Sequence, residues 1–470
     1  MALDPSTKRM LPWLVAIAFF MQTLDGTILN TALPAMAASL GESPLRMQSV
    51  VIAYMLTVAL LIPASGWLAD RFGTRRIFVA AILMFSLGSL LCALSSSLVM
   101  LVAARVVQGV GGALLLPVGR LAILRGFPRA ELLKALTFVT LPGLVGPLVG
   151  PTLGGWLVQV ATWHWVFLIN LPVGVIGVVV ARRYMPDLRG ATGQRFDVRG
   201  FVMFSSGLVM VSLALQGLGE HAISVAASML LMVGGLAAMV GYWLHATRVP
   251  QPLFSPALMG IPTFAIGLAG NLFSRLGSGA MPFLIPLFMQ VGLGYLPSVT
   301  GMSMIPTALG AMLCKAFAEP LIRRLGYRNV LVSNTLLLGL MIAAFGWVEK
   351  GTPHALILVM LGLFGVINSM QFTAMNTLTL GDLDDATASS GNSLLSVVMQ
   401  LSMSLGVAAG GALLAAFTGA GLRVADASVI AGFHTTFLCM GGLSMVATFI
   451  FFQLGTREQP SEHPTVVDEG

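Results

Sequence analysis

Runs of about twenty apolar residues recur along nearly the whole chain, each bounded by Pro, Gly or a charge, and each is long enough to cross a ~30 Å hydrocarbon core. In such a medium every backbone N–H and C=O must be satisfied within the segment, so the runs are read as spanning α-helices. Fourteen fit, and the fold class is an all-α membrane protein. Of 470 residues only 9% are charged, against roughly 25% in soluble domains, and 57% are hydrophobic. The 53 Gly and 24 Pro are tolerable in membrane helices, where neighbours re-satisfy the freed backbone groups.

Charge placement sets the topology. Nineteen of the 25 Lys and Arg fall in alternate connections counted from the N-terminus, whereas the opposite set holds Arg46, Lys350 and Arg423. The positive-inside rule puts both termini in the cytoplasm, with Lys8 and Arg9 ahead of a retained first helix. One connection on the basic side, at Asp382, Asp384 and Asp385, is acidic. The net charge of +7 is thus a matter of topology and not of nucleic-acid binding. No connection is long enough for a soluble catalytic or nucleotide-binding domain, which excludes a self-contained ATP-driven pump. No metal-ligand cluster, catalytic triad or phosphate loop is visible, so neither enzyme nor cofactor is expected. Cys92, Cys314 and Cys439 lie in apolar runs and read as small buried hydrophobes.

The longest connection, 182–199, carries Arg182, Arg183, Arg189, Arg195 and Arg199 and follows six spans. Arg71, Arg75 and Arg76 follow the second span of the first six, as Arg323, Arg324 and Arg328 follow the second of the last six. The correspondence divides the chain into a six-helix bundle at 1–181, a linker with two extra helices at 182–261, a second six-helix bundle at 262–456 and a tail at 457–470.

Four segments carry chemistry. Residues 66–76 read GWLADRFGTRR: Gly66 would let helices approach, Gly73 would permit a tight turn, and Asp70 could meet a helix N-terminus or an arginine, with Arg71 and Arg76 beside it. Residues 314–328, CKAFAEPLIRRLGYR, are a degenerate echo without the Asp-Arg pair. RVVQG at 105–109 sets Arg105 and Gln108 in an apolar run, where a charge must face a cavity or a partner. GPLVGPTLGG at 146–155 lines up Gly146, Gly150, Gly154 and Gly155 for close helix contact, with Pro147 and Pro151 removing backbone donors. LDGTILNTALP at 24–34 holds Asp25, the only carboxylate well inside the spans. Desolvation disfavours a charged carboxylate and a nearby cation favours it, so such a group can load and release a proton.

These motifs resemble the major facilitator superfamily, and the Gly-Pro segment matches the form that accompanies its exporters. With the LD-x-T-x-x-N-x-ALP wording, WHWVFLINLPVG at 163–174 and the inserted helix pair, the chain is similar to the fourteen-span drug:proton antiporters of the EmrB and QacA type, and within them to the MdtD/HsrA subgroup. His164 stands where that second motif usually has arginine. The resemblance implies two six-helix bundles plus two inserted helices, working as a monomer that exchanges protons for a small-molecule substrate across the lipid bilayer. An importer or uniporter of the same fold and a transport-inactive receptor are the competing classes. Asp25 and Arg105 are the expected proton-coupling residues. Arg275, alone in the ninth span, is expected either to bind substrate or to pair with Asp25. Gln22, Asn30, Gln108, Asn271, Asn368, Gln371, Asn392 and Gln400 are further candidates for the cavity wall.

Overall fold

The computed structural model describes residues 4–190, 196–220, 224–384, 387–418, 422 and 426–455. Arg195, Asp385, Arg423 and the 457–470 tail, which entered the topology argument, lie outside them. Fourteen helices are long and apolar enough to span a membrane: α1 Pro5–Leu40, α2 Gln48–Phe72, α3 Thr74–Ala93, α4 Leu98–Gly126, α5 Lys134–Val160, α6 Trp165–Tyr184, α7 Val198–Gly217, α8 Val225–Ala246, α9 Pro262–Gly292, α10 Pro297–Leu325, α11 Tyr327–Trp347, α12 His354–Gly381, α13 Ser390–Thr418 and α14 Ala427–Phe451. Their ends follow ordinary capping chemistry. Ser97 accepts from the Met100 N–H at the start of α4, Ser224 does the same for Ala227 in α8, and left-handed Gly41 closes α1.

Helices α1–α6 form one bundle and α9–α14 the other. In the first, α1 lies along α5, and α4 lies between α2 and α3; in the second, α12 packs on α10 and α14 on both α11 and α9. The inserted hairpin α7–α8 leans on α13, with a lighter contact to α2. It therefore borders the seam where α2 of one bundle meets α13 of the other. Leu230, Val233, Leu236 and Val240 of α8 are exposed, as a lipid-facing helix requires.

Two differences from the sequence reading have local causes. The ninth span is not one continuous helix: it stops at Ser278, resumes at Met281–Leu287 and ends in a π turn at Phe288–Gly292. Pro282 has no N–H with which to continue the ladder, and glycines on both sides let α13 press against the break. A Cβ on Gly406 would stand 2.7 Å from the Leu276 carbonyl oxygen, and one on Gly279 would stand 3.0 Å from Met403 Cα. Cys439 is exposed on the outer face of α14, not buried like Cys92 and Cys314.

The basic turn after α2 is tightly built. Gly73 has φ +92°, and a side chain there would also overlap the Asp187 carboxylate. Thr74 Oγ1 donates to the Pro186 carbonyl at 2.6 Å, and Arg75 Nε donates to the Met185 carbonyl at 2.5 Å, pinning the end of α6 to this turn. Gly326, after α10, repeats the positive φ at +78°. The echo keeps the turn but not the acid: Glu319 pairs only with Arg323 on its own helix, and both are exposed. Gly73→Val combines a disfavoured φ, worth about 1–3 kcal/mol, with an overlap of the Asp187 carboxylate, which would have to move. It should lower the melting temperature of the purified protein by several degrees, whereas Gly351→Val, where nothing lies within 4 Å, should leave it unchanged.

Candidate functional site

Asp25 sits midway along α1 and is almost wholly buried, as is Arg105 of α4; each is 1% exposed. Arg105 Nη1 donates to Asp25 Oδ2 at 2.7 Å and to Gln108 Oε1 at 2.6 Å. The three-residue spacing in RVVQG puts Arg105 and Gln108 on one helix face, so both reach the same partner. Gln108 Nε2 donates to Asp25 Oδ1 at 2.7 Å and to Ser89 Oγ of α3 at 2.9 Å. Asn170 of α6 repeats that bridge, donating from Nδ2 to Asp25 Oδ1 at 3.0 Å and to Ser89 Oγ at 3.2 Å. Arg105 is completed by the Val50 carbonyl at 3.3 Å from Nε and by the Tyr54 ring, 4.2 Å from its guanidinium carbon.

Both Asp25 oxygens thus accept from charged or amide donors, which is the pattern of an ionised carboxylate. A proton on Oδ1, which already accepts twice, would evict one of the amides, and a proton on either oxygen would remove the charge that holds Arg105. In this medium the pair is a closed charge: removing one member leaves the other buried and uncompensated at a cost of about 3–5 kcal/mol.

A cavity of about 890 Å³, within the size range of small-molecule sites, lies beside this network. Its wall runs from Gln22, Val58 and Gly112 at mid-depth to Asp70, Phe196 and Gln251 at the basic ends of the helices, with Ser390, Asn392, Ser396 and Gln400 of the α13 side opposite. Arg120 also lines it. The helix α4 continues to Gly126, so this residue lies inside the span and not in the connection beyond it. Among the described residues it has no hydrogen-bond or ion-pair partner. The acids at the rim are already engaged. Asp70 pairs with Arg125 at 2.6 Å, and Asp197 caps α7 through the Gly200 N–H at 2.8 Å while holding His245 at 2.8 Å. Burial of Asp197 opposes its charge, but the bonds from Gly200, His245 and Leu253 prevail and hold it below the usual carboxylate range.

At the other end the two bundles close on each other. A Cβ on Gly155 of α5 would meet the Pro297 carbonyl oxygen at 2.1 Å, and one on Gly301 of α10 would meet the Pro151 carbonyl oxygen at 2.2 Å. Thr152 Oγ1 donates to the Gly301 carbonyl at 3.2 Å, and Gln290 Nε2 of α9 donates to the Thr31 carbonyl of α1 at 3.0 Å.

The family profile described as Major Facilitator Superfamily matches residues 15–279 and 267–469. The chain belongs to the major facilitator superfamily. Relatives named as the multidrug resistance protein MdtD include one from Serratia proteamaculans (strain 568), 50% identical over 91% of this chain and 90% of its own length. Another, from Salmonella heidelberg (strain SL476), is 49% identical over 97% of both. Among solved structures, a POT family transporter in complex with 5-aminolevulinic acid superposes with a TM-score of 0.69 at 15% identity, covering 94% of this chain and 95% of that one. A bacterial homologue of the human lysosomal transporter Spinster, inward-facing and unoccupied, gives 0.68 at 16% identity, covering 96% and 97%. These two likenesses concern the fold alone.

Within this superfamily fold the candidate residues divide. Gln22, Asn392 and Gln400 line the cavity, as do Gly66 and Asp70. Gln108 is fully buried in the charge network and does not reach the cavity, because both ends of its amide are held there. Gln371 ties α12 to α11, accepting from Asn334 at 2.8 Å and donating to Thr335 at 2.7 Å. Asn30 is spent on the Gly26 carbonyl at 3.4 Å, and half-buried Asn368 lies outside the cavity wall. Arg275 does not meet Asp25, whose charge Arg105 already satisfies. Its Nε donates to Asn271 Oδ1 at 3.1 Å, and its guanidinium lies 4.7 Å from the centre of the Phe372 ring. Asn271 in turn donates to the Gly267 carbonyl, so this pair stays on α9.

Gly66 does not serve close approach here, since a Cβ on it would meet open space at the cavity wall. Arg71 lies over Trp67, 5.5 Å from its ring centre, and Arg76 is exposed. Gly146, Gly150 and Gly154 pack on α1, where Thr23, Thr27 and the Ile28 carbonyl occupy the space of side chains; Pro151 and Gly155, with Thr152 between them, reach the other bundle. Sequence reasoning missed Asn170, Ser89, Tyr54 and Arg120. Asn170 carried a signal, being the amide of WHWVFLINLPVG, whereas one serine among many gives none.

If the network is a closed charge, neutralising both ions should cost less than neutralising one. Arg105→Gln should lower thermal stability by about 3–5 kcal/mol. The double change Asp25→Asn with Arg105→Gln should recover most of that loss, read as the melting temperature of the purified full chain.

Proposed function

We propose that this chain exports small organic molecules or drugs from the cytoplasm across the bacterial inner membrane in exchange for protons, with Asp25 as the proton carrier. The observation that carries the reading is the buried Asp25–Arg105 pair, whose bonding pattern cannot survive protonation unchanged. Near-full-length similarity to relatives named for multidrug resistance supports the export direction and the class of cargo.

The basic ends of the helices face the cytoplasm in this reading, as the positive-inside rule requires. The cavity is then open to the cytoplasm and closed toward the outside by α5 against α10 and by Gln290 on α1. Cargo enters beside Arg120, Gln22, Asn392 and Gln400. A proton arriving from outside at Asp25 displaces Arg105 or an amide, and the loosened contacts on α1 and α4 favour the other arrangement of the bundles. Asp70, Arg71, Gly73 and Arg76 form the cytoplasmic latch with Arg125, while Gly146, Gly150, Pro151, Gly154 and Gly155 let α5 slide on α1 and α10. No step in this cycle calls for enzymatic chemistry.

The test is proton release from proteoliposomes challenged with a panel of cationic, neutral and acidic organic compounds. At least one compound should release protons with the native chain and none with Asp25→Asn. Undiminished release by that variant would remove Asp25 from the mechanism.

A further inference from the structure

The ion pair and the cavity are neighbours, yet the pair is sealed. On three helices the cavity wall stands one turn away from the network: Gln22 precedes Asp25 on α1, Val58 follows Tyr54 on α2, and Gly112 follows Gln108 on α4. The Tyr54 side chain lies between them. The Tyr54 ring covers the Arg105 guanidinium at 4.2 Å, and its hydroxyl end rests on Gly112, where a Cβ would stand 2.5 Å from Oη and 3.1 Å from Cζ. Tyr54 is itself only 5% exposed. Gly109, one turn earlier, gives the same helix contact its closeness, since a Cβ there would meet Thr57 Cβ at 2.8 Å and the Tyr54 carbonyl at 3.1 Å. The phenol therefore has a fitted seat: an aromatic face on the cation, an edge against a bare helix and a polar tip directed at a cavity-lining position.

We propose that Tyr54 is the lid that separates the Asp25–Arg105 pair from cavity water in the cytoplasm-open state. The inference rests on Asp25 as the proton carrier. An antiporter whose carboxylate exchanged protons freely with the cytoplasm would return protons without moving cargo, so some group must close that route while the cavity is empty. Tyr54 is placed to do so, and it also holds the Arg105 guanidinium in line with Asp25. It is a positioning and gating residue, because it reaches the cation and not the reacting carboxylate. The ring supplies the seal and the stacking; the hydroxyl is not required for either.

The experiment measures substrate-free proton flux into proteoliposomes under an imposed pH gradient, with the full chain throughout. The native protein and Tyr54→Phe should be equally tight, and Tyr54→Ala should raise the flux severalfold, since a lid that keeps water out has been removed. Tyr54→Ala combined with Asp25→Asn should be tight again. Gly112→Ala, which unseats the phenol without deleting it, should leak in the same sense and carries the test if Tyr54→Ala does not fold. If these variants fold and stay as tight as the native chain, Tyr54 is only a packing residue and the lid is overturned, while the reading of Asp25 is untouched. If Tyr54→Ala leaks equally with and without Asp25, protons bypass the carboxylate, and the reading of Asp25 fails.

Discussion

A carboxylate and a guanidinium meeting at mid-membrane depth, out of contact with water, set the terms for the first bundle. Neither ion could be placed there alone, and the pair is stable only because every acceptor on Asp25 is occupied by Arg105, Gln108 or Asn170. Five helices contribute to it, counting Ser89 on α3 and Val50 and Tyr54 on α2. Their relative positions are therefore tied to the protonation state of one side chain. A proton that breaks one of these bonds acts on the packing of the whole bundle.

The same helix that carries Asp25 also carries the closure on the far side. Thr31, less than two turns along α1, accepts from Gln290 of the second bundle and donates to the Pro151 carbonyl at 3.1 Å. Beside these contacts Gly155 and Gly301 let the backbones of α5 and α10 meet, so a small rotation of α1 is felt at once by both helices. The cavity lies on the other side of the same axis, walled by α1, α2 and α4 against α13. The proposed proton site, the closure and the cavity thus share α1, and in the proposed cycle the second bundle enters mainly as the surface against which it moves.

Much of this was legible in the sequence, for one physical reason. Charges are so costly in a bilayer that Asp25 and Arg105 stand out in apolar runs, and the spans and their basic connections are written in hydropathy and charge. Which cation serves Asp25 was not legible, because Arg275 and Arg105 looked equally available and only the bundle geometry separates them. Gln108 was assigned to the cavity since an amide in a span can serve either substrate or structure, and its three-residue offset from Arg105 decides the matter only once the partner is placed. Gly66 was read as a packing residue and turned out to border open space, for a glycine records that a side chain is unwelcome without saying in which state. Arg120 was not singled out, because a basic residue near the end of a span reads as ordinary topological charge.

The central claim is that Asp25 exchanges its bond to Arg105 for a proton, and infrared difference spectroscopy of the full chain in lipid measures it directly. When a proton load is imposed, a protonated-carboxyl band should appear together with a change in the guanidinium bands, and both should be absent from Asp25→Asn. A carboxyl band that persists in that variant, or an Asp25 that stays ionised until the protein unfolds, would contradict the account.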